Sequence, residues 1–168
     1  MNEAPSLLKS PGLQAAYEAL HTVTDPEIPV ISVVDLGIIT KVECEGLHVQ
    51  VDLTPTFAGC PAIHIMSDNI KAALAERGFT EIEVNVQYHI PWSSNNITEK
   101  GKQLLKDFGL SPPPTFEGML TLDVLKNAIC PNCGSNHTQL ISPFGPTACR
   151  AVHRCNNCLE TFQQFKPL

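Results

Sequence analysis

The sequence predicts an α+β fold in two unequal parts, a small α-β-β-α-β-α domain and a compact cysteine-rich appendix. Three observations point there. Helix-period and alternating apolar patterns succeed one another from about residue 10 to about residue 108. The run Ser111-Pro112-Pro113-Pro114 then breaks the pattern, because successive prolines favour an extended spacer. Beyond it, two CxxC pairs fall in a stretch rich in Gly and Asn that is too short to build a core without a staple. These give a domain over 1–111, a linker over 112–126 and a second unit over 127–168.

The elements follow in order. A first helix fits residues 10–23, with Ser10 as cap, Pro11 in the first turn and Leu13, Ala16, Tyr17 and Leu20 on one face. Thr24-Asp25-Pro26-Glu27-Ile28-Pro29 stops it. Ile38 to Cys44 and Leu47 to Leu53 alternate as two strands joined at Glu45-Gly46, with Val49, Val51 and Leu53 facing one way. A loop over 54–61 opens a helix over 61–77, whose buried stripe is Ile63, Met66, Ile70 and Leu74 and whose stop is Gly78. Glu81 to Tyr88 is a third strand. Pro91-Trp92 leads to a short helix over 98–108, with Thr98 as cap and Trp92 packed against the end of the sheet.

Composition narrows the function classes. No apolar run approaches the roughly 18 residues of a membrane span, and the first residues lack the pattern of a secretory leader, so a cytoplasmic protein is expected. Residues 1–115 carry seven Lys/Arg against fourteen Asp/Glu, and residues 116–168 carry four against three. An acidic body of this kind does not attract a phosphate backbone, which argues against nucleic-acid binding. Seven cysteines in such a chain read as metal ligands or reactive thiols rather than disulfides.

Cys130-Pro131-Asn132-Cys133 and Cys155-Asn156-Asn157-Cys158 are two knuckles separated by 21 residues. Two residues between thiols let both sulfurs reach one ion, and two such knuckles complete a tetrahedral Cys₄ site, the pattern of a zinc ribbon. Iron in a rubredoxin-like site satisfies the same ligands. Gly134 stands where a knuckle turns through positive φ, and Thr138–Ile141 and Ala151–Arg154 read as hairpin strands. A fully ligated site of this type holds shape and does no chemistry.

Cys60 is the second point of interest. It precedes Pro61 at the start of the 61–77 helix and reads as its N-cap, where the helix end and free N–H groups stabilise a thiolate. Such a thiol ligates a metal, holds an iron–sulfur cluster or attacks an electrophile; the bland alternative is a small buried hydrophobe. Asp25 and Glu27 form a carboxylate pair on a proline-stiffened loop, and His64 lies one turn beyond Cys60. Cys149 sits beside Arg150, a cation that favours a thiolate. Cys44, inside a strand pattern, reads as core.

Several segments agree with one family. Asp25-Pro26-Glu27-Ile28-Pro29, Val34-Asp35-Leu36-Gly37 and Thr54…Gly59-Cys60-Pro61 resemble the small domain of cytosolic iron–sulfur assembly factors. Pro91-Trp92-Ser93-Ser94, Ser142-Pro143-Phe144-Gly145 and Thr147-Ala148-Cys149-Arg150, with the two knuckles, resemble a narrower branch, the PaaD family of the phenylacetyl-CoA epoxidase system. The resemblance implies an accessory role beside a di-iron monooxygenase in phenylacetate catabolism. The implied partners are its oxygenase and reductase components, and the implied work is to insert or maintain their iron–sulfur or metal centres. It implies a structural zinc in the ribbon and a transient iron–sulfur cluster or iron at Cys60, with Asp25, Glu27 and Cys149 contributing. A cluster shared between two chains would make the protein a homodimer. A docking subunit of the oxygenase complex, a general iron–sulfur cluster assembly factor and an enzyme with Cys60 as nucleophile are the competing readings. The chain departs from the family at Asn95-Asn96, where an Asp-Trp pair is common, and at Arg150, where Lys is common.

Overall fold

The computed structural model describes residues 11–168. Helix α1, Pro11–Leu20, buries Ala16, Ala19 and Leu20. It ends earlier than its apolar spacing suggests, and Tyr17 is only half-buried. Just past its end the Thr22 hydroxyl donates to the Ala19 carbonyl at 2.7 Å. The expected cap Ser10 lies outside the described residues. The chain turns directly into strand β1, Thr24–Asp25, which pairs antiparallel with β2, Ile28–Ser32. The two prolines hide this hairpin in the sequence. Pro29 sits exposed at its rim while Ile28 and Ile31 enter the core.

The central sheet matches expectation more closely. Strands β3, Ile39–Glu45, and β4, His48–Leu53, form an antiparallel hairpin. Helix α2, Ala62–Glu76, crosses over to β5, Glu81–Val86, which lies parallel to β4. The strand order is β3-β4-β5. Val49, Val51 and Leu53 point inward and are fully buried, as their alternation requires. Ile63, Met66, Ile70 and Leu74 of α2 close over them.

Between β2 and β3 the turn 33–37 carries a polar hub. Asp35 Oδ2 accepts from Ser32 Oγ at 2.8 Å and Lys100 Nζ at 3.1 Å, and Oδ1 accepts from Thr98 Oγ1 at 2.9 Å. Burial pushes this carboxyl up, but those donors outweigh it and hold it below its ordinary range. The hub fixes helix α3, Glu99–Asp107, capped by Thr98 as the sequence predicts. Gly101 approaches so closely that a Cβ there would lie 2.6 Å from the Asp35 carbonyl oxygen. Gly37 has φ +71°, and its missing side chain makes room for the Asn96 carbonyl.

The second unit is tied to the first by its sheet. Strand β6, Leu110–Ser111, precedes the prolines, and helix α4, Leu122–Leu125, follows them. The ribbon strands are β7, Thr138–Ser142, β8, Arg150–Cys155, and β9, Thr161–Phe165. Their order is β6-β9-β8-β7, with β6 parallel to β9 and the other pairs antiparallel. Phe165 leaves the ribbon and enters the main core, where its ring lies 5.7 Å from that of Trp92. Trp92 therefore packs on the ribbon as well as on the turn, donating Nε1–H to the Leu36 carbonyl at 3.3 Å. Leu168 and Ser94 exchange backbone and hydroxyl hydrogen bonds. A separate small cluster of Ala128, Cys130, Cys155 and Phe162 lies inside the ribbon. Among the described residues no helix is long and apolar enough to cross a membrane.

Candidate metal centre and thiol recess

The two knuckles converge. Cys130 Sγ lies 3.7 Å from Cys158 Sγ and Cys133 Sγ lies 3.6 Å from Cys155 Sγ, and all four sulfurs fall within 4.8 Å of one another. A tetrahedral ion with metal–sulfur bonds near 2.3 Å places its sulfurs about 3.8 Å apart, so the donor set fits one metal ion. The backbone supports the arrangement. Gly134 turns through φ +74° and donates to the Cys130 carbonyl, and the amides of Asn157 and Cys158 point at Cys155 Sγ. Leu159 repeats the positive φ after the second knuckle, at +65°. The thiols are unequal. Burial raises Cys130 to about 11, whereas the Ser135 amide and the Asn157 side chain lower the exposed Cys133 to about 6. Among the described residues, these four thiols are the group of metal-type side chains that gathers in this way.

The second site is a recess of about 30 Å³ where the two units meet. Cys60, Asp25 and Ile28 line it from the first unit and Cys149, Thr147 and Arg150 from the second. Asp25 is buried, and its Oδ1 accepts from the backbone N–H of Glu27 at 2.7 Å and of Ile28 at 3.1 Å. Arg150 is buried as well, donating Nη2 to the Glu27 carbonyl at 2.8 Å and Nη1 to Gln163 Oε1 at 3.2 Å. Thr147 Oγ1 lies 3.2 Å from Cys149 Sγ.

Several sequence expectations change here. Helix α2 is regular from Ala62, but Pro61 already has helical dihedrals, φ −69° and ψ −25°, so Cys60 stands just before the first helical residue, within reach of the Ala62 and Ile63 amides. Burial raises the Cys60 thiol, and the amides of Ala62 and Ile63 that favour its thiolate do not overcome this. Burial likewise raises Cys149 against the opposing pull of Thr147 and Arg150. Both are therefore neutral thiols at neutral pH, because desolvation penalises the anion more than the neighbours repay. Burial also raises Asp25. Glu27 is exposed and serves through its backbone. His64 is exposed on α2 and does not line the recess. Cys44 is half-buried on β3.

Residues 118–166 match the model of the PaaD zinc beta ribbon domain, and residues 13–86 match that of the iron–sulfur cluster assembly protein family. A protein of Escherichia coli (strain K12), named as a subunit of 1,2-phenylacetyl-CoA epoxidase, is 36% identical over 156 residues, 93% of each chain. The chain belongs to the PaaD family. Its first unit is also similar to the Fe-S protein maturation auxiliary factor YitW of Bacillus subtilis (strain 168), 33% identical over 87 residues, 50% of this chain and 83% of that protein. The crystal structure of a domain of unknown function, DUF59, from Bacillus anthracis superposes with a TM-score of 0.51 at 29% identity, covering 55% of this chain and 89% of that one.

The departure from the PaaD pattern at Asn95 has a structural counterpart. Asn95 Oδ1 accepts from the Phe116 amide at 2.9 Å and its Nδ2 donates to the Phe116 carbonyl at 2.6 Å. Only an amide does both, so Asn95 pins the 112–121 segment as a strand partner would. Phe116 and Leu120 of that segment wall a groove of about 340 Å³ with Phe57, Tyr88 and Trp92, next to the Cys60 loop. The Arg150 clamp and the Phe165 anchor are not legible in the sequence. Arg150 carried one signal, a lone cation immediately after a cysteine.

Proposed function

We propose that this chain is an accessory subunit of a phenylacetyl-CoA epoxidase system that helps mature or maintain the iron–sulfur or metal centres of its oxygenase and reductase components. The observation that carries the reading is the placement of Cys60. It stands half-buried at the edge of a small, mainly apolar recess, next to a buried carboxylate, in a domain whose relatives are named as Fe-S protein maturation factors. Cys60 is the thiol that takes the cargo. Asp25 shapes its loop and offers an oxygen, and Glu27 holds that loop to Arg150. The recess has room for about two water molecules, far less than an acyl-CoA substrate needs, which favours a carrier over a catalyst.

The ribbon metal is a structural zinc. Four thiolates leave no open position, so this centre shapes the surface that partners meet. The test is to produce the oxygenase and reductase components together with wild-type chain or with Cys60→Ser, and to measure iron and acid-labile sulfide in the purified components. Cys60→Ser should leave them depleted while keeping its own zinc. Full loading of the clients by Cys60→Ser would mean that the chain serves as a docking subunit with Cys60 as packing.

A further inference from the structure

The loop over residues 143–149 joins β7 to β8 and closes on the first unit. Its exposure alternates. Phe144, Pro146 and Ala148 face solvent, whereas Gly145, Thr147 and Cys149 are half-buried, and Arg150 at its end is buried. Thr147, Cys149 and Arg150 thereby form the ribbon's side of the recess, against Cys60, Asp25 and Ile28. The 87 matched residues make up 83% of the Bacillus subtilis maturation factor, and its remainder is too short for a ribbon like residues 118–166. A domain of that kind brings the thiol's side of the recess without this cover. We propose that the loop is a lid on Cys60, latched by Arg150, which covers the thiol when closed and leaves it open to solvent and to a partner when lifted. This regulation rests on the reading of Cys60 as the working thiol.

The latch is narrow. Among the described residues, the loop and Arg150 reach the first unit by one hydrogen bond, from Arg150 Nη2 to the Glu27 carbonyl at 2.8 Å. The other ties stay inside the ribbon. Gly145 N–H donates to the Arg150 carbonyl at 2.8 Å, Arg150 N–H donates to the Thr147 carbonyl at 3.1 Å, and Lys166 N–H donates to the Cys149 carbonyl at 2.9 Å. Phe144 rests its ring 5.0 Å from Lys166 Nζ. Gly145 lets the loop fold back on Arg150, since a Cβ there would lie 3.1 Å from both the Cβ and the carbonyl oxygen of Arg150. The loop is thus built to move as one piece, while Phe165 keeps the ribbon on the main core. A segment held by one bond across a recess of about 30 Å³ opens far more often than the molecule unfolds.

Lifting the lid also changes the chemistry of Cys60. In the closed state burial raises both recess thiols and keeps them protonated, and the nearby Asp25 and Cys149 add to the rise at Cys60. Opening removes Cys149 and part of the burial. The Ala62 and Ile63 amides, which favour the thiolate, stay in place. Cys60 then gains reactivity by access and by charge together.

The experiment alkylates the zinc-loaded full chain with iodoacetamide and follows each cysteine by mass spectrometry, with Cys44 on β3 as a reference thiol outside the recess. Arg150→Met removes the latch. Gly145→Val keeps Arg150 but obstructs closure. Arg150→Met should speed Cys60 and Cys149 together by about tenfold or more, the change expected for loss of a hydrogen bond from a charged group. Gly145→Val should move both thiols in the same direction, and zinc content and the Cys44 rate should hold in each variant. A variant that loses zinc or speeds Cys44 has unfolded, and the other variant then decides. An unchanged Cys60 rate in a folded variant overturns the lid, whether or not Cys149 speeds up. So does a wild-type Cys60 that reacts as fast as in the urea-unfolded chain. The carrier reading fails separately, through full client loading by Cys60→Ser; a failed lid with depleted clients leaves Cys60 an uncovered carrier.

Discussion

Phe165→Ala tests whether the two units share one core. Phe165 belongs to the last ribbon strand, yet it is 1% exposed and packs among first-unit residues, its ring 5.7 Å from Trp92 and tilted by 55°. Removing a fully buried Phe costs about 3–5 kcal/mol, through lost transfer energy and the cavity left behind. The tilted ring pair, worth about 0.5–1.5 kcal/mol beyond burial, places this site towards the upper end. With a urea slope of about 2 kcal/mol per molar, the midpoint should fall by about 2 M. Trp92 is the one tryptophan of the chain and sits against the substituted ring, so its fluorescence reports the interface directly. Release of the ribbon metal to a coloured chelator reports the other unit. In wild type the two signals should change together, and in Phe165→Ala both should shift to lower urea. A loss below about 1 kcal/mol would refute the shared core, as would early metal release with an unmoved Trp92 transition.

The other substitutions probe single contacts. Burial raises the Asp25 carboxyl above its ordinary 3.8, so the folded state holds that proton more tightly than the unfolded chain. The resulting stability is fully present below 3.8 and is lost as pH rises through the folded value; Asp25→Asn, which keeps the Oδ1 acceptor, should therefore melt higher than wild type at pH 7 and show no gain near pH 3. An equal gain at both pH values would show that the carboxylate charge is not what costs stability. Gly101→Ala places a Cβ 2.6 Å from the Asp35 carbonyl, so the helix-propensity gain of about 1 kcal/mol should be reversed into a net loss of about 1–3 kcal/mol in thermal melts. Asn95→Asp loses its donor to the Phe116 carbonyl, about 1 kcal/mol, and should speed chymotrypsin cleavage after Phe116 several-fold; an unchanged rate would mean the segment is held from elsewhere.

Much of this was readable in the sequence because its signals are local. The CxxC spacing fixes how two thiols meet an ion, the alternation in β4 fixes which face is buried, and the Thr98 cap is read from its own helix. What escaped depends on contacts between distant segments. Strand β2 contains Pro29, which demotes it by every local rule, yet it survives at a rim where no N–H is needed. Strand β9 reads Thr-Phe-Gln-Gln-Phe, and its burial of Gln164 beside Phe165 follows only once β6 and β8 flank it. The thiols of Cys60 and Cys149 show why local signals fall short. A helix end and a neighbouring cation are visible in sequence, but the desolvation that opposes them is set by chain segments that meet across the recess. The same holds for Asp25 and Glu27, equal as carboxylates in sequence and separated by a turn that buries one and exposes the other.

The pairing of β6 with β9 has a consequence for how the chain can be divided. Leu110 and Ser111 occupy the outer rim of β9 opposite Gln163 and Gln164. A fragment starting at the prolines carries every metal ligand but leaves that rim of β9 with unanswered N–H and C=O groups, beside a Phe165 stripped of its pocket. An open rim of this kind recruits strands from other molecules. The isolated ribbon should bind its metal and still self-associate, and prefixing Leu110-Ser111 alone should relieve the first fault without curing the second.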